Sequence, residues 1–381
     1  MKRLLVCIPD FRQGGIPRCL QSLLMNIDVT KYSVDLICLS QKGPYKGEMP
    51  NCRVLKEDYM VSQLMVHTKK IKNWFLCIPT LGLKVLRSIV LKLFKKDILF
   101  MRLRQLGKSA GEYDAAIAYA EGFPTKVIET VKTKKKLVWI HNDYAFKDGS
   151  EGGNITDFDK FDLICCVSKA TQQSFQNAYP QFRNRTCYLH NIVNYQYILQ
   201  NSNVEIHDSN FKTDLFTIIS VGRVCAVKAF EIIPQIAASL RKRGVDFRWY
   251  ILGGGPENEV NVVKGQIIKE QVADKVILLG EKDNPYPYIK KSDLFVLTSV
   301  HESYPTVINE ARVLNIPIVS NSIPSAYEML SDGGAVIVPV DEMAENIAEL
   351  IKNRKLYENL KSHVFVNKND EIMNGFYKLL N

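Results

Sequence analysis

The sequence predicts an α/β protein made of two successive open, parallel sheets covered by helices, and three observations carry that expectation. Short apolar strands alternate with amphipathic helical stretches through the first half, a polar stretch at 200–213 (QNSNVEIHDSNFKT) interrupts them, and the alternation then restarts. At 381 residues the chain is too long for one ordinary core and suits two domains of about 150 to 200 residues each. Two such domains are Rossmann-like and imply a cleft, with ligands gathered at the carboxyl ends of the strands.

The expected strands of the first half are 3–9 (RLLVCIP), 34–39 (VDLICL), 114–119 (DAAIAY), 136–141 (KLVWIH), 162–167 (DLICCV) and 186–190 (TCYLH). Ile16, Leu20, Leu23, Leu24 and Ile27 recur at three- and four-residue spacing and mark one helix face, with Pro17 suited to a first turn. The second half gives strands at 215–221, 246–252, 275–279, 293–298, 316–320 and 334–338, and helical patterns at 229–243, 305–314 and 341–352. The expected domains are 1–200 and 201–365, with 366–381 a helix crossing back to the first.

Hydrophobic residues make up 46% and charged residues 24%, which is ordinary globular composition, and no segment approaches the ~20 apolar residues of a membrane span. The start, MKRLLVCIPDFRQGG, has two basic residues and an apolar run of only about six, without a small-residue cleavage site. It reads as a buried first strand rather than a signal peptide. Nine cysteines are scattered singly except for Cys165-Cys166, with no zinc spacing, so reduced structural thiols in a cytosolic protein are expected. The net charge of +10 is concentrated: residues 66–108 hold eleven Lys or Arg against the single acid Asp97.

Four constellations sit at expected strand ends. In VGRVCAVK (221–228), Gly222, Arg223 and Lys228 bring two cations and an expected helix start to one strand's carboxyl end, a corner suited to a diphosphate. Solvated surface cations would look the same. ILGGGPE (251–257) runs a strand into three glycines, including Gly253, which either admit a ligand to the backbone or only make a tight turn. TSVHESYPTVINEA (298–311) delivers Glu302 to a strand end, with Pro305 opening a helix whose first N–H groups, those of Thr306 and Val307, face the same space. Glu310 then lies roughly 8 Å further along the helix axis at about 1.5 Å per residue. Two glutamates at that spacing also occur by chance on solvated helices, but the flanks Val307, Ile308, Ala311 and Leu314 are apolar. Finally VWIHND (138–143) ends a strand on His141, which is either a core histidine or a group facing a ligand. Asp157-Phe158-Asp159 is a DxD in a polar loop before a strand, and reads as a solvated turn rather than a metal site.

Together these segments resemble glycosyltransferase family 4, retaining enzymes of the GT-B fold that build bacterial polysaccharides. The matching pieces are GG (14–15), IHND (140–143), CVSKATQQSF (166–175), NIVN (191–194), VGRVCAVK, LGGGPE (252–257), the long run 279–311 and IPIVSN (316–321), in the family's order and spacing. The resemblance implies a hexosyl transfer from a nucleotide-diphosphate sugar, by default UDP-linked, with no cofactor and no metal. Arg223 and Lys228 would hold the diphosphate, and Glu302 would meet hydroxyls of the transferred sugar with the Ser303, Tyr304, Pro305, Thr306 and Val307 backbone around it. Glu310 would accept from the ribose. Gly15 and Gly253 would let loops approach the donor, His141 would lie beside the transferred sugar, and the backbone from Glu281 to Asn284 would flank the base. Two positions depart from the pattern: Ala229 where glycine is usual, and Arg312 where a small or apolar residue is usual.

Within 66–108, WFLCIPTLGLKVLRSIVLKLFKK mixes apolar and basic residues at near-helical spacing, which suits either a helix lying on an anionic bilayer or a helix pair packed on the first domain. The expected partners are therefore a nucleotide-sugar donor, a saccharide or polyprenyl-linked acceptor and the inner face of the cytoplasmic membrane, where the protein would be peripheral. Nucleic acid is not expected, since no recognised motif accompanies the basic charge. A nucleotide-sugar epimerase of the same fold, or an inactive nucleotide-sugar-binding scaffold, would carry much of the same pattern.

Overall fold

A computed structural model of the chain describes residues 1–12, 14–65, 74–144 and 155–381. Part of the basic stretch, including Lys69, Lys70 and Lys72, lies outside the described residues. The chain forms two compact units, Met1–Ile192 with Asn369–Asn381, and Val193–Lys368.

The first unit holds a seven-stranded sheet in the order β3-β2-β1-β4-β5-β6-β7. Its strands are β1 (Lys2–Asp10), β2 (Tyr32–Ser40), β3 (Arg53–Val54), β4 (Glu112–Ala118), β5 (Lys132–Ile140), β6 (Leu163–Cys166) and β7 (Thr186–Tyr188). Every pairing is parallel, so both faces must be covered by helices and the central strands are almost wholly apolar. Leu4 of β1 lies opposite Val34 on one side and Ala115 on the other, and Leu4, Leu5, Ala116 and Ile117 are essentially unexposed. The two-residue β3 was not expected: it is a short, exposed edge strand with too few residues to show a period. The helix Gly15–Met25 carries Leu20, Leu23 and Leu24 into the core, as the spacing predicts. At the chain's end, the helix Asn369–Leu379 returns to this unit, where Tyr377 stacks on Tyr32 at 5.1 Å and Phe376 meets Trp139 at 6.1 Å.

The second unit holds a six-stranded sheet in the order β10-β9-β8-β11-β12-β13, again with every pairing parallel. Its strands are β8 (Phe216–Val221), β9 (Phe247–Leu252), β10 (Val276–Gly280), β11 (Leu294–Leu297), β12 (Ile318–Asn321) and β13 (Ala335–Val338). Residues 200–213 belong to this unit: Asp208 pairs with Lys282 at 2.8 Å, and the Lys212 N–H donates to the Tyr250 hydroxyl at 2.8 Å. In both sheets the strand order reverses beside the first strand, between β1 and β4 and between β8 and β11, the places where such sheets bind ligands.

The helical pattern at 229–243 is realised only as Ile233–Lys242, and Lys228 ends a single 3₁₀ turn, Ala226–Lys228, rather than starting a helix. The break is at Ala229, whose φ of 50° lies in the left-handed region. Glycine, usual at this position in the family the sequence resembles, adopts that conformation without a Cβ clash. The other departure is accommodated differently. The Arg312 guanidinium donates to the Met329 carbonyl and pairs with Asp332, both at 2.6 Å, and stacks over the Phe365 ring. It thereby ties the end of helix Thr306–Val313 to helix Pro324–Leu330 and to the segment leading out of the unit. Ala229→Gly should stabilise the second unit by about 0.5–1 kcal/mol. Thermal unfolding of the two proteins side by side measures this, and a lower midpoint in the variant would contradict it.

Candidate active site

The loops after β8, β9 and β10 are laced together through their backbones. The Gly222 N–H donates to the Leu252 carbonyl at 3.0 Å, that of Gly253 to Gly280 at 2.8 Å, and that of Val224 to Gly254 at 2.8 Å. A Cβ added at Gly253 would lie 1.8 Å from the Gly222 carbonyl oxygen, and one at Gly255 2.2 Å from that of Val224. The glycines of LGGGPE are thus required first for this backbone-on-backbone contact. Glu281 faces Gly254, its Oε2 3.1 Å from where a Cβ would stand. Asn284 spends its side chain inside the unit, donating to the Asn201 carbonyl at 2.8 Å and accepting the Tyr286 N–H at 3.2 Å.

Across the switch point, the loop after β11 is fastened to the loop after β8. Thr298 Oγ1 donates to the Lys228 carbonyl at 2.8 Å, the Val300 N–H to the Val227 carbonyl at 2.9 Å, and Asn321 on β12 donates to the Ser299 carbonyl at 3.0 Å. This frame brings Lys228 and Glu302 together, Nζ to Oε1 at 2.5 Å, with each side chain 17% exposed. The Ser299 hydroxyl donates to the same carboxylate oxygen at 3.0 Å. Arg223, on the same loop as Lys228, is exposed and makes no ion pair among the described residues. An ammonium held by a carboxylate and an exposed guanidinium thus stand on the one loop after β8, a pairing of cations whose chemistry suits an anion.

Pro305 caps the helix Thr306–Val313 and Val307 lies in its first turn. Glu310 is 3% exposed, between Ile308 and Ala311, which are fully buried. Ser303 and Tyr304 are half-buried in the loop between Glu302 and Pro305, and the Asn309 amide donates to the Tyr304 hydroxyl at 3.4 Å. The structure therefore collects Arg223, Lys228, Gly253, Glu281, Asn284, Glu302 and the 303–310 segment at one end of the second sheet. Gly15 and His141 belong to the first unit.

In the first unit, Gly15 opens its helix, and a Cβ there would meet nothing within 4 Å. His141 follows β5 at once, its ring 5.3 Å from that of Tyr119. Burial holds its imidazole's pKa down to about 4. The Nε2 atom is buried and has no partner among the described residues. One neighbour escaped the sequence reading. Glu121, 7% exposed, lies just past β4 and accepts the backbone N–H groups of His141 and Asn142, each at 3.3 Å, while burial raises its pKa to about 7. Its only signal in the sequence is an acid placed between an apolar strand and a Gly-Phe-Pro turn. In the DxD segment, Phe158 is buried against Phe175 and Phe182, and the exposed Asp159 pairs with Arg185 at 3.1 Å.

Residues 202–364 match the family model described as glycosyl transferases group 1. The chain is 24% identical over 204 residues to an uncharacterized glycosyltransferase of Methanocaldococcus jannaschii, covering 51% of this chain and about half the length of that protein. It is 25% identical over 374 residues to the N-acetylgalactosamine-N,N'-diacetylbacillosaminyl-diphospho-undecaprenol 4-alpha-N-acetylgalactosaminyltransferase of Campylobacter jejuni, covering 95% of this chain and 93% of that one. Among solved structures, Anabaena Alr3699/HepE in complex with UDP-glucose superposes with a TM-score of 0.72 at 15% identity, over 99% of this chain and 100% of that one. Staphylococcus aureus TarM superposes with a TM-score of 0.72 at 13% identity, over all of this chain and 99% of that one. The fold is GT-B, two Rossmann-like units, as the sequence predicts, and the second unit is the part that matches the group 1 family model.

The titrations of His141 and Glu121 act on stability with opposite signs. An unfolded histidine takes up its proton near 6.5 and the buried one only near 4, so this group's contribution is lost as pH falls across that window. The Glu121 carboxyl, ordinarily near 4.5 and held near 7 here, contributes stability that is lost as pH rises between those values. Replacing His141 with Gln removes only the first effect. The variant should gain on the wild type in urea-unfolding midpoint as pH is lowered from about 6.5 towards 4.5, and a pH-independent difference would contradict this assignment.

Proposed function

We propose that this chain is a glycosyltransferase that takes a hexosyl group from a nucleotide-diphosphate sugar, UDP-linked by preference, and passes it to a saccharide or polyprenyl-diphosphate-linked saccharide in bacterial polysaccharide synthesis. The observation that carries the reading is the Lys228–Glu302 pair set across the switch point of the second sheet, with Arg223 exposed on the same loop and Glu310 buried on the adjoining helix. The group 1 match over 202–364 and the full-length likeness to a transferase that acts on a diphospho-undecaprenol acceptor support it. So does the likeness in fold to a protein solved with UDP-glucose.

In this reading the donor's diphosphate enters between Arg223 and Lys228. As the bond from the anomeric carbon to the diphosphate breaks, negative charge builds on the leaving oxygens, and two fixed cations stabilise it more than they stabilise the intact donor. They occupy the electrostatic role that a divalent metal fills elsewhere, so the reading includes no metal. Once the phosphates claim Lys228, the Glu302 carboxylate is released to accept hydroxyls of the transferred sugar. Glu310 accepts from the ribose, and Glu281 to Asn284 lie beside the base. Retention of configuration follows from the resemblance to family 4.

The reading also places the protein on an anionic membrane surface. The helix Trp74–Phe94 exposes Leu81, Val85, Leu86, Ile89, Leu93 and Phe94, with exposed Lys92, Lys95 and Lys96 at its end. Arg87, Arg102 and Arg104 pair with Asp97, Asp58 and Glu129, so the lysines are the cations best placed for lipid. Three of them supply about 3 kcal/mol near an anionic surface, to which the apolar side chains add. No helix among the described residues is long and apolar enough to cross a membrane.

A thermal-shift panel of nucleoside diphosphates and nucleotide sugars should yield one selective stabiliser, and no shift with any would sink the reading. Glu310→Ala should then weaken that nucleotide about 10- to 100-fold, the value of one or two charge-assisted hydrogen bonds. Glu302→Gln should lower turnover by about 10²-fold or more without weakening the nucleotide, and equal effects of the two substitutions on both quantities would refute the division of roles. With liposomes containing anionic lipid at physiological salt, the protein should co-float, and Lys92, Lys95 and Lys96 changed together to Glu should abolish it. Flotation unaltered by those changes would overturn the membrane assignment.

A further inference from the structure

The strands β6 and β7 pair in parallel, with Ile164 opposite Thr186, Cys165 opposite Cys187 and Cys166 opposite Tyr188. Residues opposite one another on neighbouring parallel strands turn their side chains to the same face, about 4.8 Å apart. Disulfides span Cα separations of about 4.4–6.8 Å, so this register sets two thiols where one bond would join them. Both are free in the structure. Among the described cysteines no other two are register partners. Cys166 follows Cys165 directly and so points to the other face, while Cys7 on β1 and Cys38 on β2 are one place out of register, opposite Ile37 and Ile8.

The two thiols differ in access. Cys165 is fully buried, with Trp139 of β5 as its other register partner. The helix Asn369–Leu379 covers that face: Phe376 packs against Trp139, and a Cβ added at Gly375 would stand 2.8 Å from Leu189, two residues beyond Cys187. Burial also pushes the Cys165 thiol well above its ordinary pKa, so it stays protonated. Cys187 is only half-buried, and β7 is the last strand of the sheet, so a small solute reaches this thiol from the edge. An accessible cysteine beside a sealed one is the arrangement of an attacking and a resolving thiol.

We infer that Cys187 and Cys165 form a site of reversible oxidative modification whose oxidant is a hydroperoxide. The Cys187 sulfur attacks the O–O bond and keeps one oxygen as a sulfenic acid; the other departs with the thiol proton as water or an alcohol. The Cys165 sulfur then attacks the Cys187 sulfur, the S–O bond breaks, and the hydroxyl leaves with the Cys165 proton as water. Two thiols have lost two electrons and two hydrogens, both taken by the peroxide, and a disulfide joins β6 to β7. A dithiol reverses the step by exchange. In a reducing compartment the dithiol is the resting form and the bridge is transient. No sugar or nucleotide enters this chemistry, so it stands apart from the transferase reading.

The test treats the full-length protein with hydrogen peroxide, blocks the remaining thiols by alkylation and maps the peptides by mass spectrometry. In most wild-type chains Cys165 and Cys187 should be linked, with the loss of about 2 Da that removal of two hydrogens gives, and dithiothreitol should undo the link. Fragmentation of the linked peptides distinguishes Cys165 from Cys166. In Cys165→Ala the same treatment should leave Cys187 as a sulfenic acid that dimedone traps, with no link. Cys187→Ala should leave Cys165 a thiol, and it is the deciding variant if Cys165→Ala does not fold, judged by circular dichroism. Wild-type Cys187 recovered as a thiol, or carried to the sulfinic acid without a link, would overturn the inference. So would a link through Cys166, or oxidation of Cys165 in Cys187→Ala.

Discussion

Lys228 and Glu302 are 74 residues apart in the chain, and their contact exists only because β8 and β11 are neighbours in a parallel sheet. β9 and β10 lie on the other side of β8, so the loops after β8 and β11 diverge from a common gap, and the cation of one meets the carboxylate of the other there. Everything near the pair serves to hold those loops at that distance. Thr298 and Ser299 are buried and turn their hydroxyls onto the Lys228 carbonyl and the Glu302 carboxylate, and the glycines after β9 let that loop lie directly on the backbone of the loop after β8. A single ion pair that is only partly shielded from water contributes little stability by itself. Its value here is positional, since it holds the ammonium and the carboxylate at a fixed place across the gap.

The two sheets use the same topology for different chemistry. In the second unit the strand ends carry charge: an exposed guanidinium, an ammonium and two carboxylates, a set suited to phosphates and hydroxyls. The first unit presents at its strand ends a glycine-opened helix and a neutral imidazole, with the buried Glu121 carboxylate turned onto backbone N–H groups. The two strand-end surfaces therefore differ in electrostatic character, one charged and one with a buried acid and an uncharged ring.

Most of the fold was legible because parallel sheets announce themselves as apolar runs with helices between them. Among the described residues, twelve of the thirteen strands fall where those runs fall; the exception, Arg53–Val54, is an edge too short to carry a pattern. The helix expected at 229–243 starts late because Ala229 takes a left-handed conformation that nothing in its side chain discloses. At the candidate site, the individual residues were visible from their positions at strand ends, whereas their pairings were not. That Lys228 rests on Glu302 depends on strand order, and that the LGGGPE glycines pack against the preceding loop depends on how closely two backbones approach. Glu121 was missed for a related reason: an acid beside an apolar strand reads as surface until the fold buries it under the following strand's turn.

The central claim is that the ammonium of Lys228 is the group the donor diphosphate takes over from Glu302. Calorimetric titration of UDP into the wild type and into Lys228→Met tests it most directly. The account predicts that the methionine variant, which keeps an unbranched side chain of nearly the same length and loses the ammonium with its charge and N–H donors, binds UDP at least about tenfold more weakly, since one charge-assisted contact of about 1.5–3 kcal/mol is removed. Equal dissociation constants for the two proteins would contradict it.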